Sequence, residues 1–156
     1  MRGVYTAATK ISGLNASKTL MYLTAPAGKP VEIMSFSVTN ESNATNFQMQ
    51  VALANISSLG TPTATSITPT PHEAGDQAAA STVKANVTAS EPTYGTTITQ
   101  EGAASLNGYR HEPYPDERIL IPAGASVRIQ DKFRLYSSMG VPSLTSHKPK
   151  LNTTAS

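Results

Sequence analysis

Two short stretches gather the residue types that do chemistry. "PHEAGD" holds His72, Glu73 and Asp76, and "YRHEPYPDER" holds Tyr109, Arg110, His111, Glu112, Tyr114, Asp116, Glu117 and Arg118. A histidine beside a glutamate suggests a metal ligand or an acid–base pair, and a zinc-type site needs two or three imidazoles and a carboxylate converging on one point. Neither pair extends to His-Glu-x-x-His, because position 76 is Asp and position 115 is Pro, and no His-x-His of the cupin kind occurs. There is no Cys and no Gly-x-Ser-x-Gly elbow, so thiol and serine nucleophiles lack their usual frames. Carboxylates drawn from Glu73, Glu112 and Glu117 form the remaining catalytic arrangement, one suited to glycoside hydrolysis. Ion pairing is the simpler reading: Arg110 and Arg118 with Glu112 and Glu117 order the second stretch, and His111 packs on Tyr109 or Tyr114. The expectation is therefore a protein that is not an enzyme and holds no metal or cofactor. His72, Glu73, Asp76, Tyr109, Arg110, His111, Tyr114 and Arg118 are then interaction residues.

Tyr94, Tyr109 and Tyr114 offer rings on which a sugar could stack, although Trp, the usual platform, is missing. Tyr is equally common at protein interfaces. A carbohydrate-binding, lectin-like module is thus the alternative to a protein-binding one.

Strands must position these residues. In "NFQMQVALAN", Phe47, Met49, Val51 and Leu53 alternate with Gln48, Gln50, Ala52 and Ala54, the period-two signature of a half-buried strand. "SVRIQDKFRLY" sets Val127, Ile129, Phe133 and Leu135 against Arg128, Gln130, Lys132 and Arg134, with Asp131 marking a bulge or a sheet edge. Further strands read at "KTLMYLT", "VEIMSFSVTN", "TATSIT", "STVKANVTA" and "ERILI"; in "VEIMSFSVT" the apolar phase slips from Ile33 to Met34, which predicts a bulge or burial on both faces. Nothing reads as a helix longer than about two turns. About eight short strands with Pro/Gly/Asn turns predict an all-β antiparallel sandwich, jelly-roll-like, over residues 18–138. An N-terminal arm (1–17) and a C-terminal tail (139–156) flank it, and 69–82 and 90–118 read as long loops.

One pattern is written twice: "APAGKPVEI" at 25–33 and "IPAGASVRI" at 121–129. Proline at the second and glycine at the fourth position of a type I turn would reverse the chain in each copy. The flanking strands (18–24 with 31–39, 117–121 with 126–136) would meet in the sandwich.

Charged residues are 14% of the 156, against about 25% in an average soluble domain, and Ser, Thr and Asn supply the polarity. Such a surface costs little to desolvate against another protein; equally, Thr is simply a good strand residue. A net charge of +2 without a Lys/Arg cluster argues against nucleic acid as a partner. No run approaches the ~18 apolar residues of a membrane span, and "MRGVYTAATK" lacks a signal-peptide core.

The pieces "LTAPAGKPVEIMSFSVTN", "LGTPTATSITPTPHEAGDQAAASTVKANVTASEPTY", "GYRHEPYPDER" and "IPAGASVRI" come in an order that resembles a group of small β-sandwich proteins encoded with the head genes of tailed phages. The likeness covers about residues 18 to 136. It implies a virion structural role, a capsid decoration (cement) protein made in the host cytoplasm and placed on the outer surface of the capsid. The partners it implies are the major capsid protein and further copies of the chain, as a homotrimer. The chain departs from the group by continuing through 139–156.

Overall fold

The computed structural model describes residues 3–12, 17–39, 48–104 and 107–133. The predicted tail, 139–156, and the strand residues Phe47, Arg134 and Leu135 lie outside them. Among the described residues, twelve strands and one short 3-10 turn (Pro115–Glu117) make up the regular structure, and all strand pairs are antiparallel. The all-β prediction holds.

A six-stranded sheet forms the larger layer. Its strands are β2 (Lys18–Thr24), β5 (Gln48–Ser58), β6 (Thr63–Ile67), β8 (Thr82–Ala89), β9 (Thr93–Ala104) and β12 (Ser126–Phe133), in the order β6-β8-β2-β12-β5-β9. A narrow ribbon forms the other layer: β3 (Val31–Ile33) pairs with β11 (Ile119–Ile121), and β4 (Phe36–Val38) pairs with β10 (Tyr109–His111). Between them sits the core of Ala25, Leu53, Ile121 and Val127, with Leu23, Val31, Ile33, Phe36, Ile119 and Ile129 packed around it. Each fully buried Leu, Ile or Val stabilises by about 1.5–3 kcal/mol relative to exposure. A third, two-residue pair joins β1 (Tyr5–Thr6), inside the predicted N-terminal arm, to β7 (Thr70–Pro71).

The repeated motif builds the corners where the chain changes layers. Lys29 N–H donates to Pro26 O at 3.4 Å and Ala125 N–H to Pro122 O at 3.0 Å, so proline stands first in each turn and glycine third. Gly28 and Gly124 have φ of 81° and 75°, while Ala27 and Ala123 keep negative φ, which makes both turns type II. The type I turn with glycine in fourth place is thus corrected: the motif needs Gly for its left-handed third residue. The corners also bond to one another, Ala25 N–H to Ala125 O at 2.9 Å and Gly124 N–H to Pro26 O at 3.2 Å. Strands therefore pair across the two copies, β2 with β12 and β3 with β11, instead of within each copy as the sequence suggested.

Three further expectations change. The segment 90–118 is no continuous loop: it contains β9, twelve residues long, and β10. Its Thr and Gly content masked a strand that lacks an apolar face. The strand β5 is buried on both sides, with Ala52 and Ala54 as enclosed as Val51 and Leu53, because small side chains let a crossing segment lie close. Arg128, expected to face outward, is 2% exposed. Asp131 lies on a central strand, one residue past a register shift between Ile129 and Gln130, so the predicted bulge is there and the sheet edge is not.

What encloses Arg128 is the β8–β9 connection. Three strands lie between β8 and β9, so Ser90–Pro92 must cross the sheet, turning at Ser90 with φ 56°. The Glu91 carboxylate accepts from the Thr19 N–H (3.2 Å) and hydroxyl (2.5 Å) on β2. Arg128 donates from Nη1 to Thr19 Oγ1 (3.0 Å) and Pro92 O (3.1 Å) and from Nη2 to Gln130 Oε1 (2.8 Å). Tyr94 lies over the guanidinium at 4.4 Å and Glu91 Oε2 is 3.7 Å away. Burial pulls the Arg128 pKa below its usual value, with Glu91 and then Tyr94 opposing.

Candidate functional site

The structure separates the two predicted groups. His72 fastens the N-terminal strand: its N–H donates to Val4 O at 2.9 Å, and its Nε2 meets the Thr6 hydroxyl. Tyr5 reinforces the attachment by donating to Gln77 O at 2.7 Å. Glu73 and Asp76 span the next turn, closed by Asp76 N–H to Glu73 O at 3.2 Å. Of the three, His72 is the one that holds β1. Among the described residues no three His, Asp or Glu side chains come together in a metal-binding geometry.

The second group gathers on the ribbon, and strand alternation sorts it. Phe36 opposes His111 and Val38 opposes Tyr109, so these four share the inward face. Phe36 packs on His111 at 5.2 Å and on Tyr109 at 5.8 Å between ring centroids, and the Tyr109 hydroxyl lies 3.4 Å from His111 Nδ1. His111 does pack on Tyr109, as the ion-pair reading expected, and both are half-buried wall residues.

Outward face Ser37 and Arg110 on one pair, Glu32 and Leu120 on the other. The phase slip predicted at Met34 is real: the strand breaks at Met34–Ser35, which turns Met34 outward at 42% exposure before Phe36 re-enters the core. Arg118 pairs with Glu32 at 3.1 Å, not with Glu112 or Glu117, because Ile119 aligned with Ile33 brings it alongside β3. Arg110 pairs with Glu112 at 2.9 Å. Between these two ion pairs opens a cleft of about 550 Å³ lined by Met34, Pro113, Tyr114 and Pro115. The Tyr114 ring projects with 76% of its surface exposed, held by prolines on either side that restrict its backbone. Leu120, 63% exposed, lies farther along the same face.

Each of the two arginines is matched by a glutamate, with apolar and aromatic residues between the pairs, while Asp116 and Glu117 are exposed on the adjoining turn. The exposed Arg110–Glu112 pair adds only about 0–1 kcal/mol to stability, and the Arg118–Glu32 pair is part-buried. One donor is left over: the Arg118 Nε–H is buried at the cleft and has no acceptor. The arrangement offers an exposed apolar and aromatic surface on which a partner can seat, with Ser35, Glu112 and Arg118 also lining the cleft.

Sequence reasoning missed Glu32, Met34 and Leu120 as members of this face. Met34 carried a signal, the phase slip; Glu32 and Leu120 follow only from knowing that β3 pairs with β11. No family model, curated protein or solved structure matches the chain.

Proposed function

We propose that the protein is an adhesive structural component of a tailed-phage virion, a decoration (cement) protein that holds the major capsid protein of the head shell through protein–protein contacts. The observation that carries the reading is the outer face of the ribbon: Met34 and Tyr114 exposed between the Arg110–Glu112 and Arg118–Glu32 pairs, with Leu120 exposed farther along it. An apolar, aromatic centre with charges paired at its rim is the anatomy of a protein interface. The low charge content supports it, as does the resemblance of the chain to phage head proteins.

Co-sedimentation tests the proposal. Purified protein mixed with assembled shells of its phage that lack it should pellet with them, and the double variant Met34→Ser/Tyr114→Ala should remain in the supernatant with unchanged thermal stability. Wild-type protein that never pellets would refute it. Glycan binding is the second reading, favoured by the exposed Tyr114 ring; it requires Tyr114-dependent retention on a glycan array. Tyr109 is half-buried against Phe36, which leaves Tyr114 the more open ring.

A further inference from the structure

Among the described residues the large sheet ends in two edge strands, and they are unlike. At one end β6 has five residues and is bracketed by Pro62 and Pro69, and shortness with proline is how natural edge strands avoid adding a neighbour. At the other end β9 runs for twelve residues, about twice the usual strand length of 5–6. It contains no proline and no lysine, and its one charge is Glu101. Nine of its twelve residues are exposed, on both faces of the sheet. Register shifts disturb its pairing with β5 through Tyr94–Ile98, but Thr99–Ala104 runs in unbroken register against Gln48–Leu53. On the other side of that regular stretch no strand pairs with it among the described residues; Ala104 O accepts the turn bonds from Asn107 and Gly108, and β10 comes near β9 without pairing to it.

We propose that β9 is a self-association edge: two copies of the chain join antiparallel through β9, extending the sheet from six strands to twelve. A row of unpaired N–H and C=O groups is satisfied by another strand. The second copy is the fitting occupant because β9 complements itself. With a two-fold axis at Gln100, Thr99 faces Glu101, Ile98 faces Gly102, Thr97 faces Ala103 and Thr96 faces Ala104. No like charges stand directly opposite, the two Glu101 residues lying diagonally at about 7–8 Å, and Gly102, where an added Cβ would find nothing within 4 Å, gives Ile98 room. Isologous pairing of this kind closes after two copies. It yields a dimer, where the family resemblance implies a trimer, and it is independent of what the ribbon face binds.

Light scattering of the full chain over rising concentration reads the outcome directly. The wild type should move from monomer to dimer mass, and amides in 99–104 should gain hydrogen-exchange protection with concentration while those in 63–67 do not. Thr99→Glu, which sets two carboxylates against Glu101 of the other copy, should weaken the dimer about tenfold. Thr99→Lys, which sets two ammonium groups there, should bind at least as tightly as wild type. A monomer at all concentrations, a trimer, protection gained at 63–67, or equal effects of the two substitutions would each overturn the proposal. Circular dichroism of both variants confirms that the fold is retained.

Discussion

Replacing Arg128 with methionine gives the sharpest test of the packing described above. The guanidinium makes three hydrogen bonds, sits under the Tyr94 ring and lies beside the Glu91 carboxylate. Methionine fills a similar volume but leaves Pro92 O and Gln130 without a donor. Breaking a buried ion pair on one side costs about 3–5 kcal/mol. Glu91 retains 41% exposure, so water recovers part of its share, and Arg128 no longer bears its own desolvation. The expected loss is at the lower bound, about 3 kcal/mol, or a fall in Tm of about 6–12 °C for a chain of this size. Urea denaturation followed by circular dichroism measures it. Glu91→Gln keeps an acceptor for Thr19 but removes the countercharge, and should cost about 1–2 kcal/mol. The double variant should lose less than the sum of the two. If Arg128→Met falls within about 0.5 kcal/mol of wild type, the residue does not fasten the crossover and the reasoning fails.

The other predictions are smaller. Burial raises the Tyr22 pKa above its usual value near 10; a raised folded pKa means stability that is complete below pH ~10 and lost as pH climbs through the folded value, so Tyr22→Phe should flatten the alkaline limb of a stability–pH curve. Gly28→Ala and Gly124→Ala each force a left-handed alanine where there is open space for the methyl, a purely backbone cost of about 1–2 kcal/mol that thermal melts should show as a few degrees. Tyr114→Ala alone should leave Tm within about 1 °C, since an exposed ring contributes little to folding, while reducing shell co-sedimentation.

Much of the fold was legible because apolar alternation reports burial directly: β5, β8 and β12 lie where apolar residues recur at every second position. The strand β9 was illegible for the converse reason. Its neighbour β5 supplies the hydrogen bonds and almost nothing covers its faces, so Thr, Gly and Gln occupy positions where periodicity needs hydrophobes. Arg128 misled through the same rule, since a long cation at an outward position predicts solvent until a crossing segment brings a carboxylate, a carbonyl and an aromatic ring to meet it. At the candidate site, composition located Tyr114 and Arg118 but assigned Arg118 the nearest acid in sequence, whereas pairing of β3 with β11 supplied Glu32 from 86 positions away.

The mutual bonds of the two Pro-Ala-Gly corners have a consequence for biosynthesis. The strand that fills the middle of the large sheet, β12, is the last of the described strands to leave the ribosome, and its corner is what receives the first one. Until it arrives β2 and β5 have no neighbour between them, so a nascent chain halted before residue 126 holds two open strand edges and half a core. Long-range closure of this sort slows folding and leaves unfinished chains prone to cross-pairing. Premature termination anywhere short of the second corner should therefore yield aggregates and no smaller stable domain.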